Sequence, residues 1–168
     1  MSIVIRPALK EDSQQLIQLF CQLDSESSFM LFESGERQTT LSEQEAIMQT
    51  FVNSRNRAMF VVENQQNEIT GFIVGDGGSV LRNKHVLHCV IGVLKSSQGA
   101  GLGGQLFDHL KDWAIAHSFH RMELCVMEGN HAAIKLYQSH GFVQEGVKKH
   151  SLKVDNNYIN EYIMAKLL

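Results

Sequence analysis

Residues 85–104 read His-Val-Leu-His-Cys-Val-Ile-Gly-Val-Leu-Lys-Ser-Ser-Gln-Gly-Ala-Gly-Leu-Gly-Gly, a β-rich run that ends in a turn with four glycines among its last six residues. The run His85–Val93 predicts a buried strand. After the glycines, Leu102, Leu106, Leu110, Trp113 and Ala114 fall on one face of a helix reaching to about His117. Met122–Val126 predicts a further buried strand. Strand, turn, helix, strand is a βαβ unit, so these two strands are expected to lie parallel.

A turn that delivers a strand into a helix leaves several N–H groups unpaired at the positive end of the helix dipole. Gly99, Gly101, Gly103 and Gly104 remove side chains that would block an anion, and they adopt backbone angles that aim consecutive amides at one point. The ligand implied is a phosphate or pyrophosphate. ATP, NAD and coenzyme A would satisfy this equally. Gly99, Gly101 and Gly104 also satisfy the dinucleotide fingerprint G-x-G-x-x-G, with Glu123 near its acidic position. Against that reading, the turn lies in the second half of the chain, too few residues follow to complete a doubly wound sheet, and Glu123 sits inside an apolar strand. A phosphate loop needs Lys and then Ser or Thr after its last glycine, and Gln105 stands there instead.

Working outward, Ile3–Arg6 predicts a short edge strand ended by Pro7, and Leu16, Leu19, Phe20 and Leu23 predict a first helix near 11–23. Ser25–Thr40 has neither period and is expected to be a loop or broken helix, the kind of segment that lines substrate sites. Ser42 with Glu45 reads as a capping box for a second helix carrying Ala46, Ile47 and Phe51. Ala58–Glu63 and Glu68–Gly75 predict a hairpin about the polar tetrad Asn64–Asn67. Asn130 is a good N-cap for a short helix bearing Ala133, Ile134 and Tyr137, with Gly141 as its left-handed stop. Strands near 142–151 and 158–167 flank the turn Asp155-Asn156-Asn157.

A chain of 168 residues, 43% hydrophobic and 20% charged, suits one domain spanning 1–168. Its net charge of −3 supplies no basic surplus for a nucleic-acid backbone. The start Met-Ser-Ile-Val-Ile-Arg-Pro lacks a basic leader with an apolar run, and no stretch is apolar enough to span a bilayer, so a cytoplasmic location is expected. Cys21, Cys89 and Cys125 are odd in number and each lies in an apolar segment, so buried free thiols are expected. His85 with His88, and His117 with His120, form no coherent metal-ligand set, and no metal is expected.

The segment Gln98-Gly-Ala-Gly101-Leu-Gly103 resembles the Q/R-x-x-G-x-G/A signature of the GCN5-related N-acetyltransferase superfamily. Downstream, Asn130-His-Ala-Ala133-Ile-Lys-Leu136-Tyr137-Gln-Ser-His-Gly141-Phe142 is similar to the family's N-x-x-A-x-x-L-Y-x-x-x-G-F segment. The ending, with Glu145-Gly146, Tyr158, Glu161 and Met164, looks most like the bacterial small-substrate members and the ribosomal-protein and polyamine acetyltransferases. The resemblance implies an α/β (α+β) fold: a mixed, mostly antiparallel central sheet of about seven strands with a central parallel pair, and helices on both faces.

It further implies acetyl-CoA as cosubstrate, bound by Gln98, Gly99, Ala100, Gly101, Leu102, Gly103 and Gly104 at the turn. Ile91, Gly92 and Val93 would pair with the pantetheine arm where the sheet splays, a splay the family obtains from a bulge that Gly92 would tolerate. Asn130 would contact the arm, and a backbone N–H near Val93 would stabilise the oxyanion. Tyr137 stands at the position of the general acid for the departing thiolate. The strand glutamate of histone-type members is absent, because Leu87 occupies that position. Glu26 and His88 are the leading choices to contact substrate or relay protons, ahead of His85, Glu33 and Glu128. The acceptor is expected to be a small-molecule or peptide amine, and a homodimer is compatible with this chemistry. A CoA-binding regulatory module and an NAD-binding oxidoreductase are the alternatives.

Overall fold

Asn64 closes the first hairpin with its own side chain. Its Oδ1 accepts the N–H groups of Gln66 and Glu68, both at 2.9 Å, and Asn67 takes a left-handed φ of 60° that asparagine tolerates. This turn sets β2 (Arg57–Glu63) against β3 (Ile69–Gly77). A second tight turn, with Asp155 and Asn156 at φ 48° and 64°, joins β6 (Val143–Val154) to β7 (Asn157–Leu167). Two consecutive left-handed residues match the right-handed twist of the strands they connect. Asn157 itself begins β7 rather than belonging to the turn.

The structure, a computed structural model, describes residues 3–168; Met1 and Ser2 of the opening segment lie outside the described residues. Among these, β1 (Val4–Pro7), β4 (Val86–Val93) and β5 (Arg121–Met127) complete one seven-stranded sheet in the order β1-β2-β3-β4-β5-β7-β6. Each neighbouring pair is antiparallel except β4 and β5. This is the mixed sheet with a central parallel pair expected from the βαβ reading. A doubly wound dinucleotide fold is excluded, because it needs a mostly parallel sheet.

Helices α1 (Ser13–Glu26), α2 (Leu41–Gln49), α3 (Leu102–Ala116) and α4 (His131–Ser139) cover both faces. Leu16, Leu19 and Leu23 of α1 pack with Met48, Val61 and Phe72 on one face. On the other, Leu106, Leu110 and Ala114 of α3 meet Ile73, Leu87, Met122 and Met164. The glycine at 75 exists for this packing, since a Cβ there would lie 2.9 Å from Leu110 and Leu87.

Several boundaries move. The first helix is entered through a 3-10 turn at Lys10–Asp12 and runs on to Glu26, so Glu26 ends a helix instead of lying in the irregular loop. The capping box uses Thr40 and Glu43, not Ser42 and Glu45. Thr40 has the extended backbone an N-cap needs, its N–H donates to Glu43 Oε2 at 2.7 Å, and its hydroxyl accepts the Glu43 N–H at 3.3 Å. Only Cys89 is fully buried; Cys21 is exposed and Cys125 half-buried, because each lies on the outer side of its element. No helix is long and apolar enough to cross a membrane among the described residues.

Leu110 is completely buried between α3 and the sheet. Leu110→Ala is expected to cost about 3 kcal/mol in urea denaturation; an unchanged midpoint would contradict this core.

Candidate functional site

β4 and β5 pair over only three positions, Val86↔Arg121, Leu87↔Met122 and His88↔Glu123. Beyond them β4 stays with β3 as far as Val93↔Gly71, and β5 stays with β7 as far as Met127↔Glu161. The strands therefore part after His88 and leave a gap lined by 89–93 on one side and 124–127 on the other. Gly78 N–H donates to Val86 O, and Leu94 N–H to Thr70 O, each at 2.9 Å. Backbone direction alternates along a strand, so the even-numbered residues of β4 face β3, and the N–H and C=O groups of Cys89, Ile91 and Val93 face the gap. An edge of this kind accepts an extended ligand as an added strand.

The expected bulge at Gly92 is not there: the register between β3 and β4 runs unbroken. Gly92 answers a different need, since a Cβ would lie 2.9 Å from both Leu23 and Phe72. Its own backbone groups turn to β3.

Two side chains pin the turn that follows. Gln98 Nε2 donates to Val93 O at 3.0 Å, and Lys95 N–H donates to Glu26 Oε2 at 2.9 Å. The Lys95 amide, ahead of a smaller opposing effect of burial, holds the Glu26 carboxyl below its ordinary range, so it stays ionised as an acceptor. Gly99 and Gly101 then take φ of 84° and 72°. None of the six amides from Gly99 to Gly104 donates a hydrogen bond among the described residues; the ladder of α3 starts with Gln105 N–H on Gly101 O at 3.2 Å. Backbone N–H groups left without a partner among the described residues at the head of a long helix are the arrangement an anion would need. Gly103 and Gly104 have a second purpose that the sequence reading missed. A Cβ on Gly103 would lie 2.8 Å from the Leu136 side chain, and one on Gly104 2.8 Å from His140 Nε2, so these two glycines leave room for side chains at the end of α4.

Asn130 caps α4, its Oδ1 accepting the Ala133 N–H at 3.3 Å. Two turns later Tyr137 lies edge-on to Phe107, ring centroids 5.6 Å apart, with Phe142 at 6.1 Å. The ring is buried. No wholly buried polar side-chain atom lacks a partner among the described residues, and the Tyr137 hydroxyl has none, so the oxygen opens to solvent. Burial, followed by the neighbouring Cys89 thiol, pushes the phenol up to about 12. It remains protonated at neutral pH.

His88 is exposed at the last paired position, where the gap begins. Leu87 beside it is fully buried on the α3 side. Glu123 pairs across from His88 and holds Arg121 at 2.9 Å, on the face away from α3. Residues 27–40 form an irregular but anchored wall: Arg37 donates to the buried Asp24 at 2.8 Å and stacks over Phe32 and Phe20. His85 and His120 lie 6.4 Å apart between ring centroids, and no group of three or more His, Cys, Asp or Glu is placed to share an ion among the described residues.

A model of the acetyltransferase (GNAT) family matches residues 12–142. No curated protein matches the chain. Among solved structures, an acetyltransferase of the GNAT family from Streptococcus pneumoniae is 27% identical with a TM-score of 0.94, covering 99% of this chain and 100% of its own. Two others share the fold at 20% identity. YncA from Salmonella typhimurium, solved with its cofactor acetyl-CoA, has a TM-score of 0.88 and coverage of 100% and 95%. A ribosomal-protein-alanine N-acetyltransferase from Brucella melitensis has a TM-score of 0.85 and coverage of 98% and 99%.

Gly101 and Gly35 both have left-handed backbones with open space where a Cβ would go. Alanine at either is expected to cost about 1 kcal/mol in thermal denaturation. Only Gly101→Ala is expected to weaken binding of inorganic pyrophosphate, followed by the shifts of the turn amides. Equal binding by the two variants would remove the turn from the site.

Proposed function

The chain belongs to the acetyltransferase (GNAT) family, and on that premise we propose that it is an acetyl-CoA-dependent N-acetyltransferase that acylates a primary amine by direct attack in a ternary complex. The observation that carries this reading is the combination of a parted parallel strand pair with six unpaired amides directly after it. A pyrophosphate needs the amides, and an extended amide-bearing arm needs the strand edge. Coenzyme A joins both in one molecule, and its acetyl thioester supplies the activated acyl group.

The amides of 99–104 hold the pyrophosphate, while Ile91 and Val93 bond the arm and one of their N–H groups takes the oxyanion. Gln98 acts by holding the carbonyl of Val93, and Gly92 by admitting α1. Asn130 keeps its side-chain N–H free for the arm while its oxygen caps α4. The amine nitrogen attacks the carbonyl carbon, the carbon–sulfur bond breaks, and the departing thiolate takes its proton from the Tyr137 hydroxyl, whose phenolate is reprotonated by the proton that the acylated nitrogen gives up. A phenol held at about 12 is protonated before the reaction.

An amine arrives as an ammonium with an ordinary pKa near ~10 and must lose a proton before attack. His88, exposed at the apex of the gap, passes that proton to solvent water. Glu26 serves as a positioning residue, because its carboxylate is engaged by the turn it supports. It links the end of α1, and so the wall that follows, to the cofactor turn.

Three measurements check this. Calorimetry is expected to detect acetyl-CoA binding, and its absence in the folded protein overturns the reading. Tyr137→Phe is expected to lower kcat about 100-fold with acetyl-CoA affinity unchanged; unaltered turnover removes the general acid. Glu26→Ala is expected to raise the KM for acetyl-CoA by about fivefold with a smaller effect on kcat, and Glu26→Gln, which keeps an acceptor oxygen, to restore most of it. A kcat loss equal in both variants would instead make Glu26 a proton carrier.

A further inference from the structure

If acetyl-CoA occupies the gap between β4 and β5, the amine must reach it from the face away from α3 and α4. The α3 side of the gap is filled by Leu87, Cys89, Leu124 and Tyr137, all buried. On the opposite side His88 and Val90 are exposed and Cys125 is half-buried. Strand alternation puts Asp76, Glu123 and Glu161 on this same open face.

The ion pairs there have a consistent pattern. Arg121 donates to Glu123 at 2.9 Å and, through both terminal nitrogens, to Glu145 at 2.9 and 2.6 Å. Arg57 is held by both oxygens of Asp76. Lys148 stands 3.9 Å from Glu161, which also accepts the Ser151 hydroxyl at 2.6 Å. Four carboxylates thus outnumber three cations, and neither arginine keeps a free fork. A carboxylate or phosphinate on the acceptor would find no bidentate partner and would face like charge.

The rim adds an apolar element. Phe29, Leu31 and Phe32 are exposed on the anchored wall, and Phe29 Cε1 comes within 3.9 Å of the position a Cβ on Gly129 would take. The wall therefore reaches across to the turn between β5 and α4. Open apolar surface beside a negative floor suits a cation carried on an apolar group.

Resting on the acetyltransferase reading, we propose that the acceptor is a primary amine on an apolar carrier with no anionic group beside the nitrogen, so that amines and amino-acid amides are acetylated in preference to free amino acids. The test is the rate of CoA thiol release with phenylalanine, phenylalaninamide and 2-phenylethylamine as matched acceptors. Both uncharged-carrier compounds are expected to exceed phenylalanine in kcat/KM by about tenfold or more. The phenylethylamine arm removes the simple explanation from amine acidity, because its ammonium is no more acidic than that of the free amino acid. In the double variant Glu123→Gln, Glu145→Gln, Arg121 is released, and the ratio is expected to shift toward phenylalanine. Phenylalanine acetylated as well as the amine by the parent protein overturns the proposal, as does an unmoved ratio in a variant of undiminished Tm. Transfer to none of the three overturns it too, while the acetyltransferase reading is still decided separately by acetyl-CoA binding.

Discussion

Beyond His88 and Glu123, β4 and β5 share no further ladder, and each keeps only its outer neighbour. A strand edge opened in the middle of a sheet is costly, because its N–H and C=O groups must find water or a ligand. The outer ladders and the packing on both faces offset that cost. Odd-numbered side chains of β4 sit on α3, and the absent side chain of Gly92 lets Leu23 and Phe72 close on the other face. The gap is thus built by the two halves of the sheet holding to separate partners, with no local distortion of β4.

The other parts of the site depend on that opening. The turn after β4 can present its amides only while Gln98 and Glu26 hold its first residues, and both reach back to groups at the strand end or just past it. Tyr137 shares the core on the α3 side with Cys89 of β4, and Gly103 and Gly104 leave room beside it for the side chains of Leu136 and His140. Four glycines in one turn therefore divide into two that take a left-handed backbone, Gly99 and Gly101, and two that leave room for the side chains of Leu136 and His140. The far edge of the sheet, β6, carries Lys148, Lys149 and Lys153, charges that discourage another strand from joining there.

Much of this was legible in the residues. The βαβ unit, both hairpins and the Asn130 cap follow from local rules of periodicity and turn chemistry, which act over a few residues. What escaped was set by distant partners. The exception is Thr40, which forms an equally local capping box with Glu43 and starts α2 at Leu41, so that Ser42 falls inside the helix. Gly92 looked like a bulge site because its contacts, Leu23 and Phe72, are remote in sequence. Glu26 looked free because its partner, the Lys95 amide, is a backbone group invisible to any side-chain pattern. Glu123 and Glu161 read as strand residues, and only the sheet order brings them with Arg121 and Lys148 onto one open face.

The most direct test follows the amides one by one in ¹⁵N-labelled protein as acetyl-CoA is added. Slowed hydrogen exchange and large shifts are expected at Ile91, Val93 and the residues from Gly99 to Gly104. Val90 and Gly92, already bonded to β3, should change little. Protection of Val90 and Gly92 without Ile91 and Val93, or changes confined to another part of the chain, would contradict a cofactor arm bound along the open edge of β4.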